Sequence, residues 1–98
     1  MTEIPLEFHG RPVLTLRQID RLNGAPKGTA FRAFKAARDR LRPGMDFFRV
    51  DAAERPEWMA QLKAAELHYS SSVHLVLIAR DGYPALRLDS PWPEGRHD

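Results

Sequence analysis

The N-terminal residues carry the two-residue periodicity of a half-buried strand. Leu6 and Phe8 are separated by one polar residue, and Val13 follows after the His9-Gly10 pair. Alternate side chains of a strand face the same side of a sheet, and a short glycine-containing turn is typical of a β-hairpin. The pattern therefore predicts a hairpin over residues 4–14, with Leu6, Phe8 and Val13 facing the core.

After this segment the apolar residues change to the spacing of a helix. Thr15 and Gln18 have the spacing of a capping box, in which each side chain binds the backbone N–H of the other residue. Three apolar residues follow at intervals of three: Leu16, Ile19 and Leu22. Asn23-Gly24 then supplies a stop signal, so the sequence predicts a first helix of about two turns.

A longer helix is predicted over Ala30–Arg42, which contains neither glycine nor proline and is followed by Pro43-Gly44. Its apolar face carries Phe31, Phe34, Ala37 and Leu41. The other face carries Arg32, Lys35, Asp39 and Arg42. We expect the apolar face to pack in the core and the mostly cationic face to be exposed.

The rest of the chain indicates further strands and one more helix. The predicted elements are a strand over Asp46–Val50, a helix over Glu54–His68, a serine loop at 70–72 and a strand over Val73–Ala79. The inner face of that helix carries Trp58, Leu62 and Ala65. The turn Arg80-Asp81-Gly82 predicts that Tyr83–Leu88 returns as the second strand of a C-terminal hairpin.

These elements together predict the α+β class. The expected order is an N-terminal β-hairpin, a helix-turn-helix-like pair, a third helix and a C-terminal β-hairpin. We expect them to form a single domain over residues 1–89, since a chain of 98 residues has room for one small core. The polar, proline-rich residues 90–98 are expected to be a flexible tail.

Composition removes several kinds of chemistry. The chain contains no cysteine, which excludes disulfides, thiolate metal sites and cysteine nucleophiles, and favours a cytoplasmic location. None of the four histidines is paired with another at the i, i+4 spacing of a helical metal site. The longest apolar run, 73–79, is far shorter than a membrane span. We therefore expect no enzyme activity, no metal, no cofactor and no membrane partner.

The positive charge is concentrated in one stretch of the chain. Residues 27–42 hold six basic side chains and one acidic side chain, a net charge of +5. Residues 1–26 sum to zero, and residues 43–98 sum to −3. Such a block indicates a face that binds a polyanion, and the alternative is a solvated helix surface without a partner.

A short helix, a glycine-containing turn and a longer basic helix form the layout of a helix-turn-helix unit. In that unit the second helix enters the major groove of double-stranded DNA. Lys27, Thr29 and Arg32 would stand at its leading end. Lys35 and Arg42 would continue along its exposed face, and Arg17 and Arg21 of the first helix would reach flanking phosphates.

The chain also resembles a known family of phage proteins over residues 4–88. The resemblance lies in Ile4-x-Leu-x-Phe-x-Gly10-x-Pro-Val-Leu-Thr-x-x-Gln18-Ile-Asp, Leu22-Asn-Gly-Ala-Pro-Lys27, Phe34, Leu41-x-x-Gly44-x-Asp-Phe-Phe48 and Val73-His-Leu-Val-Leu-Ile-Ala-Arg-Asp-Gly82-Tyr. These segments are similar to the Orf-six N-terminal domain of phage antirepressor-type proteins, which is related to the KilA-N and Bro-N domains. Two departures are Asp39-Arg40-Leu41, where the family often has an Arg-Asn pair, and Ala79, where it has threonine.

The resemblance implies a non-catalytic DNA-binding module of phage or prophage origin that regulates transcription. By resemblance, the DNA-facing set is Lys27, Thr29, Arg32 and Lys35. We expect a homodimer, since one small domain makes too few phosphate contacts for tight binding. The alternative is a small phage-encoded protein whose basic helix binds a regulatory protein of the phage or the host.

Overall fold

A four-stranded antiparallel sheet organises the molecule. The computed structural model describes residues 3–51, 53–68 and 74–93, and within them the strands are β1 (Leu6–Phe8), β2 (Arg11–Thr15), β3 (Phe47–Asp51) and β4 (His74–Ala79). The helices are α1 (Leu16–Leu22), α2 (Thr29–Ala37) and α3 (Pro56–Ala64), with short 3-10 helices at Arg38–Arg40 and Tyr83–Leu86. The strand order is β1-β2-β4-β3. The predicted α+β class is therefore confirmed.

The N-terminal hairpin forms as predicted. β1 pairs with β2 in a register that places Leu6 opposite Val13 and Phe8 opposite Arg11. His9 and Gly10 both have positive φ angles, of 52° and 75°. Two left-handed residues in succession form the turn whose twist matches that of a hairpin, and glycine tolerates this conformation without strain.

The predicted capping box begins α1. The Thr15 N–H donates to Gln18 Oε1 at 3.0 Å, and the Gln18 N–H donates to Thr15 Oγ1 at 3.0 Å. Both residues are almost completely buried and bind further parts of the chain. Gln18 Nε2 donates to the carbonyl of Ile4, and the Thr15 hydroxyl donates to the carbonyl of Leu67. The cap thus also ties α1 to the N-terminus and to the segment after α3.

The sheet separates two hydrophobic cores, because its alternate side chains point to opposite faces. One core lies under α1, α2 and the second 3-10 helix, and it includes Leu14, Ile19, Phe34, Phe47 and Ile78. The other lies under α3, and it includes Val13, Val50, Met59, Leu62 and Leu77. β2, β3 and β4 contribute to both cores, whereas β1 contributes to the core under α3.

The second helix is shorter than predicted, and one residue that was predicted to lie on its core face, Phe31, is exposed. α2 ends at Ala37, the chain continues as a 3-10 turn, and Leu41 is extended and buried. The buried face consists of Ala30, Phe34 and Ala37, whose spacing of four and three follows one side of a helix. Phe31 is one position, about 100°, away from Ala30 and is 46% exposed.

The third helix also ends before its predicted boundary. Pro56 is its first residue, which is the helix position that proline favours. Glu66 has a positive φ of 60°, and the Leu67 N–H donates to the Leu62 carbonyl at 2.8 Å, which is a Schellman stop. Ala65 is therefore exposed, and Met59 is buried in its place beside Leu62.

The predicted C-terminal hairpin is wrong. Residues Tyr83–Leu86 form a 3-10 helix instead of a strand. β4 already pairs with β2 on one side and β3 on the other, so neither edge can accept Tyr83–Leu88 as a partner. Gly82 lies so close to Asp46 that an added Cβ would stand 2.3 Å from its carbonyl oxygen. This approach turns the chain back over the α1–α2 side, where Tyr83 and Leu86 are buried.

The predicted starts of β3 and β4 hold to within one residue, whereas α3 begins two residues after the predicted Glu54. β3 begins at Phe47 and β4 at His74. Val73 and the serine loop at 70–72 lie outside the described residues, as do residues 94–98 of the predicted tail. At the start of that tail, Ser90 is hydrogen-bonded to α1 and the Trp92 ring packs against Tyr83 at 5.6 Å.

The two phenylalanines of α2 provide a test of this packing. Phe34 is buried against the Phe47 ring at 5.0 Å, so Phe34→Ala is expected to lower the free energy of unfolding by about 3–5 kcal/mol. Phe31→Ala is the matched control and should change it by less than about 1 kcal/mol. Urea denaturation followed by tryptophan fluorescence measures both. Equal losses for the two variants would contradict the assigned helix face.

Candidate nucleic-acid interface

α1 and α2 are joined by a tight turn over residues 23–28. Asn23 ends α1, and its Nδ2 donates to the Ile19 carbonyl at 2.9 Å. Gly24 follows with a positive φ of 59°, which reverses the chain direction. The Ala25 N–H donates to the Asp20 carbonyl at 2.8 Å, so the turn folds back on α1. Two short helices with this connection form the predicted helix-turn-helix-like pair.

A buried carboxylate fixes the start of α2. Gly28 precedes the helix and has no side chain with which to cap it. Asp20 of α1 supplies the missing acceptor: its Oδ1 accepts from the Ala30 N–H at 2.7 Å, and its Oδ2 accepts from the Gly28 N–H at 3.2 Å. The side chain is 2% exposed, and its negative charge faces the positive end of the helix. This contact sets the position of α2 relative to α1.

The role of Asp20 was not predicted from the sequence, although the sequence contains a signal for it. Asp20 is four residues after Leu16 and one after Ile19, which places it on the apolar face of α1. An acidic residue on a buried face needs hydrogen-bond donors. The nearest backbone N–H groups without a side-chain cap are those at the start of α2, from Gly28 onward.

The exposed face of α2 is cationic. Arg32 and Lys35 are exposed and three residues apart, which makes them neighbours on the helix surface. Exposed Ala36 lies beside them, and no residue of α2 is acidic. The Arg32 guanidinium reaches back to the Thr29 hydroxyl at 3.5 Å. Lys27 is exposed in the turn that leads into this helix, so four predicted residues are brought together: Lys27, Thr29, Arg32 and Lys35.

The two arginines of α1 make contacts within the molecule. Arg21 donates to Glu3 at 2.9 Å and to the Glu66 carbonyl at 2.8 Å. Arg17 lies 3.6 Å from the Glu66 carboxylate and donates to the His68 carbonyl at 3.4 Å. The structure therefore places both guanidinium groups against the segment after α3.

The last predicted cation, Arg42, lies outside α2, so the expectation that it continues the exposed face of that helix is wrong. Its Nε is 3.2 Å from Asp46 Oδ2, and its backbone N–H donates to the same oxygen at 2.9 Å. The hydrogen bonds and charge of Asp46 raise the pKa of Arg42. The hydrogen bonds from Arg42 hold the pKa of the buried Asp46 carboxyl below its usual value. This pair closes the turn between the 3-10 helix and β3.

A polar network attaches the C-terminal segment to the turn of the helix pair. The Tyr83 hydroxyl donates to the Ser90 carbonyl at 2.7 Å and accepts from Asn23 Nδ2 at 3.2 Å. The Ser90 N–H donates to Asn23 Oδ1 at 2.8 Å. Burial raises the pKa of the Tyr83 hydroxyl, so it remains a neutral donor. The turn before α2 is therefore supported by the C-terminal segment.

Residues 3–87 match the family model of the ORF6N domain. The chain belongs to the ORF6N domain family. The match covers nearly the whole length of the chain, as the resemblance in the hairpin, the helix pair and β4 predicted. No curated protein and no solved structure is significantly similar to it. The ORF6N family is phage-associated, which confirms the phage-related part of the sequence prediction.

Two further findings describe this ORF6N domain. Within residues 3–51, 53–68 and 74–93, no group of three histidine, aspartate or glutamate side chains is placed to hold a metal ion. In the same stretches no helix is both long and apolar enough to cross a membrane.

Removal of the Asp20 carboxylate tests the cap. Asp20→Ala leaves the Gly28 and Ala30 N–H groups without their acceptor, and the free energy of unfolding is expected to fall by about 1–3 kcal/mol. Asp39→Ala, at an exposed site, is the control and should change it by less than about 0.5 kcal/mol. Urea denaturation at neutral pH measures both. A loss no greater than that of the control would show that the cap contributes nothing.

The Asp46 pair predicts a pH dependence of stability. The folded pKa of Asp46 is lowered, so its charged form stabilises the fold above the unfolded pKa of about 4. That contribution is lost as the pH falls through the folded pKa. Asp46→Asn should therefore be less stable than the wild type at pH 7, and the difference should shrink as the pH approaches about 3. Denaturation curves at several pH values measure this difference in stability, with Asp39→Asn as the exposed control. A difference that stays constant with pH would contradict the stabilising role of the Asp46 carboxylate.

Proposed function

We propose that this ORF6N domain is a non-catalytic DNA-binding module of a phage or prophage transcription regulator of the antirepressor type. The observation that carries the proposal is the exposed face of α2, where Arg32 and Lys35 stand on a helix without acidic residues. In this proposal α2 enters the major groove of double-stranded DNA and needs no cofactor.

The cap on α2 supports this use of the helix. A helix that reads base edges must be held in a fixed orientation, because a small displacement moves every contact along the groove. The buried Asp20 carboxylate holds the first turn from α1, and Phe34 fixes the other face in the core. The cationic side chains therefore project from a rigid helix.

The predicted contacts divide into two groups. Lys27, Arg32 and Lys35 would contact phosphates and bases, with Thr29 at the leading turn of the helix. The α1 arginines and Arg42 have carboxylate partners within the molecule, so they would contribute less to DNA affinity. A homodimer, which doubles the number of contacts, remains part of the proposal.

The salt dependence of DNA binding tests the proposal. The three phosphate contacts of a single domain predict a loss of affinity of about forty-fold between about 50 and about 200 mM salt, and a dimer would lose more. Fluorescence anisotropy of a labelled random duplex measures this. The double variant Arg32→Glu, Lys35→Glu should lower the affinity more than about ten-fold and reduce the slope of log K against log salt by about two.

Arg87→Glu is the charge control for each single substitution on α2, because Arg87 is exposed and lies beyond the second 3-10 helix. It should change DNA affinity far less than either substitution on α2. No binding by the wild type at low salt, or equal losses for the control and the α2 variant, would overturn the proposal. Circular dichroism verifies that each variant is folded.

A further inference from the structure

The sheet face that carries α1 and α2 is only partly covered by the described residues. Phe47 and Ile78 lie beneath the helices in the core. Arg49 and Val76 form the next pair on the same face, and His74 follows one pair further along. Arg49 and His74 are exposed. Between this part of the sheet and α2 lies a cavity of about 570 Å³, which we term the α2–sheet groove.

The inner surface of the α2–sheet groove is apolar. Its lining includes Leu16, Phe34, Phe47 and Val76, and Phe31 of α2 also borders it. Phe31 is 46% exposed, although the sequence pattern placed it in the core. A concave apolar surface with an exposed aromatic side chain at its border is typical of a binding site for a large apolar group.

The border of the groove is cationic. Lys27, Lys35 and Arg38 approach it from the α2 side and Arg49 from β3. Two of these cations lie against aromatic rings of the groove: Lys35 Nζ is 5.5 Å from the centre of the Phe31 ring, and the Arg38 guanidinium is 4.7 Å from that of Phe47. Among the described lining residues the one acidic side chain is Asp20, which is buried in the cap of α2.

We propose that the α2–sheet groove binds a short acidic segment of a partner protein that inserts one large apolar side chain. A leucine, phenylalanine or tryptophan side chain would fill the apolar floor, and flanking carboxylates would contact the four cations at the border. A DNA duplex presents phosphates but no side chain that could fill the apolar floor. The combination of charge and apolar depth therefore favours a peptide segment.

Peptide and DNA would compete for this ORF6N domain. Lys27 and Lys35 belong both to the border of the groove and to the proposed DNA-facing set. A bound acidic segment would neutralise these cations and occupy the space beside α2. This competition rests on the proposed DNA-binding function, whereas the docking itself does not.

Selection from a random peptide library displayed on filamentous phage tests the docking. The full chain is expected to select peptides in which aspartate or glutamate flanks leucine, phenylalanine or tryptophan. The strongest peptide is then synthesised with a fluorescent label, and its affinity is measured by anisotropy. Arg49→Glu should weaken it at least about ten-fold, and Phe31→Ala should weaken it as well.

Arg32→Glu separates this proposal from the DNA proposal, because Arg32 is on α2 but does not line the groove. It should weaken duplex binding and leave peptide affinity nearly unchanged, whereas Arg49→Glu should show the reverse pattern. Peptide binding that depends on Arg49 would support the docking even if no duplex bound. Arg87→Glu again serves as the charge control.

Three outcomes would overturn the docking proposal. The first is a selection that yields no acidic and apolar pattern, and the second is peptide affinity that Arg49→Glu and Phe31→Ala both leave unchanged. The third is a dimer in sedimentation velocity that Arg49→Glu dissociates, since a second copy would then occupy the groove. Circular dichroism of each variant verifies that a loss of binding is not a loss of fold.

Discussion

The contact on which the exposed helix depends is the hydrogen bonding of the Asp20 carboxylate to the first turn of α2. A buried charge is unfavourable unless donors surround it, and here the backbone N–H groups of Gly28 and Ala30 provide them. The same bonds remove two unpaired donors from a helix that begins without a side-chain cap. One interaction thus satisfies a buried anion and a helix end at once, and it joins α1 to α2 beside the core that they share.

The sheet provides the rigid base beneath this pair. β4 lies between β2 and β3, so it links the N-terminal hairpin to the strand that follows α2. Leu14 and Ile78 pair across β2 and β4 and are completely buried under the helices. α3 covers the opposite face and makes no contribution to the cationic surface. The cationic surface is therefore built on one side of the sheet, while the other side contributes stability.

Local signals predicted the parts of the fold that local chemistry decides. The His9-Gly10 turn and the Thr15–Gln18 capping box form as expected, because each depends on residues close in sequence. The C-terminal hairpin failed because β4 already has two partners, which a local turn signal cannot reveal. The exposure of Phe31 and the role of Asp20 depend on how α2 is rotated against the sheet. That rotation is set by contacts between elements, so the sequence predicted the cations of the site but not the groove beside them.

The central position of β4 has a consequence for the order in which the molecule can fold. Thr15 of β2 pairs with Leu77, so the middle of the sheet joins residues from nearly opposite ends of the described chain. Such long-range pairing is slow to form, because a long loop must close before any contact compensates for the lost entropy. Because α1 and α2 precede β4 in the chain, the helix pair emerges during synthesis well before the strand that completes the sheet beneath it. A nascent chain would carry its basic segment without the framework that orients it, and α2 would take its final orientation only after β4 has been made.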